Sequence, residues 1–153
     1  MSLLRQTTVH DCPIQAFPSL ILQKPENFVI PSDKPSLWFY SAQGALGKDE
    51  ELIYTLQYGI FQIKWTAQII LYTPEKHLES LLVKGPMHHA LHRQSYETHG
   101  DKTLIHEEFE FSSSADLEPI LEKMEIIYPL AQQQGVRERK RTEKIKTIKK
   151  NVA

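Results

Sequence analysis

Cysteine is nearly missing from this chain: Cys12 stands alone among 153 residues. One thiol excludes an internal disulfide framework and a cysteine-rich zinc site, and favours a reducing, cytoplasmic setting. No stretch approaches the ~18 consecutive apolar residues of a membrane-spanning helix. The start, MSLLRQTTVHDC, lacks the apolar run of a signal peptide. There is no glycine-rich phosphate loop, no nucleophile elbow and no Cys–His catalytic signature, so none of the nucleotide-binding or hydrolase classes built on them is indicated. Internal repeats are absent. Length and composition otherwise fit one domain with a real core.

Charge is what the chain has in an uneven supply. Residues 137–150 carry eight basic and two acidic residues, a net of +6; residues 1–136 carry ten basic and seventeen acidic, a net of −7. We therefore divide the chain into a domain, 1–136, and a basic helical or disordered tail, 137–153. The tail offers an anionic surface or nucleic acid as a partner. It lacks the aromatics that stack on bases, and cations at a helix C-terminus also suit the helix dipole.

Hydrophobic alternation supplies most of the structure. Arg5–His10 reads as a strand with Thr7 and Val9 on alternate positions. Prolines at 13, 18, 25, 31 and 35 then forbid a long helix, leaving short broken ones around Ile14–Leu22 and Pro25–Phe28. Strands follow at Leu37–Ser41, Glu51–Tyr58, Ile63–Tyr72 and Leu78–Val83, each bounded by Gly or Pro signals. From Leu117 the period changes: Leu117, Ile120, Leu121, Met124, Ile127 and Tyr128 fall at helical spacing, with Ser114 or Asp116 as cap.

The most informative stretch is Gly85–Phe111. Two alternating segments flank Gly100-Asp101, a hairpin signal. Pairing His99 with Lys102 brings Tyr96 opposite Ile105, Gln94 opposite Glu107, His92 opposite Phe109 and Ala90 opposite Phe111. One face then holds these eight residues and the other the wetter set, including His106, Glu108 and Glu110. A slip of one residue would bury those three, so the register is specified. The three polar groups on the apolar face, His92, Gln94 and Glu107, need partners or water there.

Taken in order, Tyr54-x-Leu56-x-Tyr58-Gly59, Trp65, Ile69, Pro74, Gly85-Pro86, His92, Tyr96, Thr103 and Glu107 resemble the START-like, or SRPBCC, ligand-binding superfamily. The resemblance spans roughly residues 5–128. Met87 stands at a family Phe, Ala90 at a Trp, Gln94 at a second His and Glu107 at an Asp, so the family's pocket chemistry does not transfer residue by residue. The resemblance implies an α+β helix-grip fold: a curved antiparallel sheet of about six or seven strands packed around a C-terminal helix, with short helices after the first strand. It also implies an internal cavity for a lipid, quinone or polyketide-like molecule. The residues placed to line it are Tyr54, Trp65, Ile69, Ala90, His92, Gln94, Tyr96, Glu107, Phe109 and Phe111, although the aromatic ones equally suit plain core packing.

The expected function is non-catalytic binding or carriage of a small hydrophobic ligand, with no cofactor. His92 and Glu107 could orient a polar ligand group, act as an acid–base pair in a cyclase or hydratase, or simply stitch two strands together. A further alternative is an interaction protein working through the basic tail. Histidines at 77, 88, 89, 92, 99 and 106 suggest a metal. On a strand, however, His88 and His92 lie about 13 Å apart and cannot share an ion.

Overall fold

The computed structural model describes residues 1–22 and 33–128, and the main chain of 139–147. Among these residues, nine strands form one curved, nearly closed sheet. They are β1 (Ser2–His10), β2 (Ser36–Ser41), β3 (Glu51–Tyr58), β4 (Phe61–Thr73), β5 (His77–Lys84), β6 (His89–His99), β7 (Lys102–Ser112), β8 (Glu125–Ile126) and β9 (Arg139–Thr147). Their order is β8-β2-β3-β4-β5-β6-β7-β1-β9. Every pairing among them is antiparallel except β2 with β8. Strands β2 to β7 form a meander, as expected when consecutive strands are joined by short links.

The long hairpin has the register that its alternation demands. His99 pairs with Lys102, Gln94 with Glu107, His92 with Phe109 and Ala90 with Phe111. Gly100 supplies the positive φ, +68°, that its turn requires. Inward residues of β7 are buried at strict period two, Thr103, Ile105, Glu107, Phe109 and Phe111.

Three expectations need correction. The sheet has nine strands among the described residues rather than six or seven. The long C-terminal helix over 117–128 is replaced by one short helix, α2 (Glu118–Lys123). Leu117 takes its N-cap position without a side-chain cap, and neither Ser114 nor Asp116 caps it by side chain. Met124 then turns extended, with φ −68° and ψ 153°. Glu125 N–H donates to Pro35 O (2.9 Å) and Ile127 N–H to Leu37 O (2.8 Å). Strand pairing with β2 thus takes over residues whose apolar spacing fits a helix. Third, the tail is not helical over Arg139–Thr147, where its main chain is a strand paired with β1. The rest of the 137–153 tail, like the short helix expected at Pro25–Phe28, lies outside the described residues.

The proline-rich segment does hold short broken helices, a 3₁₀ turn at Ile14–Ala16 and α1 at Ser19–Leu22. Phe17 and Ile21 from this segment, and Leu117, Leu121, Met124 and Tyr128 from the segment around α2, are buried against the inner face of the sheet. Among the described residues no helix is long and apolar enough to cross a membrane.

The two strands that flank the meander, β1 and β8, are tied through a side chain. Gln6, on β1, donates from Nε2 to Ile126 O (2.7 Å), and its Oε1 accepts from Ile126 N–H (2.9 Å). The amide satisfies the main chain of β8 much as a neighbouring strand would.

Candidate functional site

Position 107 sits in the middle of a polar row on an otherwise apolar face. Gln6 in β1, Glu107 in β7 and Gln94 in β6 are directly opposite one another across three strands. The next row holds Leu4, Phe109, His92, Ser80 and Ile69. Period-two alternation puts both rows on the inside, so the chain buries a carboxylate and must satisfy it there.

It does so with four donors. Glu107 Oε1 accepts from His92 Nε2 (2.9 Å), Gln94 Nε2 (2.9 Å) and the Tyr128 hydroxyl (2.7 Å), and Oε2 accepts a longer bond from Gln6 Nε2 (3.4 Å). Gln94 Nε2 also donates to the Tyr128 hydroxyl, while Gln94 Oε1 accepts from the Tyr96 hydroxyl (2.9 Å). His92 Nδ1 meets the Tyr54 hydroxyl at 2.6 Å, and that hydroxyl also meets Ser80 Oγ at 2.7 Å. If Tyr54 donates to Nδ1, the histidine is the neutral Nε2–H tautomer and every bond in the chain Ser80–Tyr54–His92–Glu107 has one donor and one acceptor. His92 is 3% exposed and Glu107 2%, so the side chains at the centre of the network are screened from bulk water.

Aromatic rings enclose it. Tyr54 is stacked between Phe39 (ring centroids 4.9 Å apart) and Trp65 (5.5 Å). Phe109 packs against Tyr54, Trp65, His92 and Phe111. Phe17 meets Tyr96 and Tyr128. Burial drives the phenols of Tyr54, Tyr96 and Tyr128 upward from the usual tyrosine range, and the negative charge of Glu107 adds to each.

All ten residues picked from the sequence lie on the inner face; Tyr96 is half-buried and the other nine are buried. Tyr54, His92, Gln94, Tyr96 and Glu107 share the network. Trp65, Phe109 and Phe111 join its aromatic shell, Ala90 pairs with Phe111, and Ile69 lies opposite Ser80. Sequence reasoning misses three members. Gln6 faces Glu107 only once β1 is known to pair with β7. Ser80 sits in a strand whose leucines dominate its pattern. Tyr128 has the spacing of a helix-face residue. One signal exists for Gln6: Leu4, Gln6, Thr8 and His10 alternate as regularly as Thr7 and Val9.

Most of the other histidines decorate the outside of the sheet. His77 pairs with Glu79 (2.5 Å), His89 with Glu110 (3.2 Å) and His106 with Glu97 (3.2 Å). An open cleft of about 260 Å³ runs over this outer surface, edged by Arg5, Thr7, Arg93, Ser95 and Glu108. Its charges are mutually paired, Arg5 with Glu108 at 2.9 Å and Arg93 with Glu79 at 3.8 Å.

No protein-family model and no curated protein sequence matches the chain. Solved structures do. The chain is similar to protein Ms6760 from Mycobacterium smegmatis (TM-score 0.58, 11% identity, 79% of each chain covered). It is also similar to TTHA0849 from Thermus thermophilus (TM-score 0.53, 10% identity, covering 78% of this chain and 83% of that one). Protein CV1439 from Chromobacterium violaceum is a third (TM-score 0.51, 8% identity, covering 74% of this chain and 82% of that one). At these identities the likeness is one of fold: the chain shares a curved-sheet architecture with bacterial proteins of very different sequence.

Proposed function

We propose that this protein is a START-like binding domain that holds, without altering it, a small hydrophobic molecule bearing one hydroxyl group. One observation carries the reading. The hydroxyl of Tyr128 is buried between an acceptor, Glu107 Oε1, and a donor, Gln94 Nε2, inside a shell of aromatic rings. That is a receptor for a hydroxyl on an apolar body, here filled by the chain's own phenol. Pockets for small ligands are mostly apolar, with a few fixed polar groups that set orientation.

Binding would replace Tyr128. Residues Glu125–Tyr128 follow α2 and join the sheet through the two-residue strand β8 and through Gln6. This short attachment is the natural place to yield, since little regular pairing is lost. The ligand hydroxyl would then donate to Glu107 and accept from Gln94, and its body would lie among Phe17, Phe39 and Phe109.

Carriage is favoured over acid–base chemistry because both ring nitrogens of His92 are engaged, one by Tyr54 and one by Glu107. Such a histidine is a fixed orienting group. A reducing, cytoplasmic location goes with this reading.

The test is a thermal-shift and native mass spectrometry screen that pairs apolar alcohols and phenols with their deoxy analogues. Hydroxylated members should raise the midpoint of the wild type and of Tyr128→Ala, the latter at lower concentration. Glu107→Gln should erase the preference for the hydroxyl. Equal binding of both analogue sets, or none, overturns the proposal, and a change in ligand mass would favour an enzyme.

A further inference from the structure

The hairpin joining β3 to β4 ends in side chains that folding does not use. Tyr58 pairs with Phe61 across a two-residue turn, Gly59-Ile60. Gly59 has φ +61°, the geometry for which a glycine opens such a turn. The second turn position normally takes a small or polar residue, yet here it is isoleucine. Ile60 is 103% exposed, Phe61 63% and Tyr58 45%. Single exposed apolar residues are ordinary, but three together at one tip are not.

The tip also projects. β5 pairs with β4 only from Thr66 onward and Gly85 lies against Trp65, so Phe61–Lys64 extend beyond it by about 13 Å. Among the described strands none pairs with that outer edge. From Leu52 to Ile63 there is no charged residue; the first on β4 is the exposed Lys64. The inward side of the hairpin stays apolar, since Leu56, Ile63 and Ile120 line a small cleft behind Tyr58 and Phe61.

We propose that the β3–β4 hairpin docks the protein on a lipid bilayer, with Ile60 deepest, Tyr58 and Phe61 at the level where headgroups meet acyl chains, and Lys64 among the headgroups. The order of residues fits that boundary: an aliphatic side chain at the apex, aromatic ones behind it, then a cation about 13 Å from the apex along the strand. The occupant is a bilayer because the tip is convex and uncharged. A protein partner would need a ready-made pocket for it, whereas lipid conforms to a protrusion. Attraction rests on apolar burial, so it does not need anionic lipid. The inference stands whether or not the interior takes a ligand.

Flotation of the full chain with phosphatidylcholine vesicles tests it, alongside equal-part phosphatidylcholine–phosphatidylglycerol vesicles. The wild type should float with both, in low and high salt. Ile60→Asp with Phe61→Ser should lower partitioning roughly tenfold or more, since the buried apolar surface is lost, with an unchanged circular dichroism spectrum. Ile60→Trp should give an emission blue shift on adding vesicles and quenching by brominated lipid. Flotation that survives the double substitution overturns the proposal, as does failure to float. Binding only to the anionic vesicles, abolished by salt, would assign the contact to the basic residues 137–150 instead. A tip-dependent dimer in light scattering without flotation would assign it to a second copy of the chain.

Discussion

Gln6 and Ile126 are 120 residues apart in sequence, yet one side-chain amide satisfies both main-chain polar groups of the other residue. The same amide reaches Glu107. A single glutamine thus ties the closing segment of the sheet to its buried carboxylate.

Replacing Gln6 should be costly for that reason. Gln6→Leu keeps the approximate volume but removes an acceptor from Ile126 N–H and a donor from Ile126 O. We expect a loss of about 2–4 kcal/mol in a urea titration, the scale of two buried polar groups deprived of partners. Gln6→Glu should be worse, because it adds a second carboxylate beside Glu107.

Glu107→Gln should destabilise the fold by about 2–4 kcal/mol. With its oxygen toward His92, Gln94 and Tyr128, the amide turns its NH2 against Gln6 Nε2, donor to donor, and charge-assisted bonds become neutral ones. A double-mutant cycle with Tyr128→Phe should show coupling of at least ~0.5 kcal/mol, as expected for residues in one network. Additive effects would mean that the Tyr128–Glu107 bond contributes nothing.

Alkaline pH should unfold the protein through its phenols. Tyr54, Tyr96 and Tyr128 are raised above their ordinary values, by burial first, with the charge of Glu107 adding to each. A group raised in the folded state binds its proton more tightly there, so its contribution is complete below the unfolded value near 10 and is lost as pH rises beyond it. Tyrosinate absorbance near 295 nm should therefore appear in two steps, with the second coincident with loss of circular dichroism. One smooth titration of all six tyrosines, with the fold intact, would contradict the burial of these three.

Gly85→Ala tests close packing. A Cβ at Gly85 would come within 2.5 Å of the Trp65 Cβ. The loop before β6 must therefore move off Trp65, at about 1–3 kcal/mol for an overpacked site. The change should show in denaturant unfolding and in Trp65 fluorescence.

The long hairpin can be read from sequence because its information is local: Gly100 marks the turn and strict alternation marks the faces. The meander from Ser36 to Ser112 is accessible for the same reason. Sequence reasoning fails where pairing is distant. Alternation and β-branching single out Thr7 and Val9, but the inner side of β1 is Ser2, Leu4, Gln6, Thr8 and His10. That face looks unlike a core because it meets the polar row of Glu107. Met124 and Ile127 fit a helix as well as a strand end, since short apolar runs carry both periods. Their choice depends on β2, nearly ninety residues earlier in the chain. The strand character of Arg139–Thr147 likewise depends on β1. For the site, His92, Gln94 and Glu107 are legible as a group, whereas Tyr128 becomes part of it only through the segment after α2.

The sheet order has a consequence for synthesis. Of the described strands β1 leaves the ribosome before the others, but its partners are β7 and β9. Strands β2 to β7 can zip up hairpin by hairpin as they emerge. β1 must wait for Phe111, the partner of Ser2. At the usual pace of translation that is on the order of 5–20 s. During that interval Leu4 and the inner residues beside it have no sheet to join, and the nascent chain offers an open strand edge at β1. Interference with folding should therefore be greatest for anything that engages Ser2–His10 before β7 arrives.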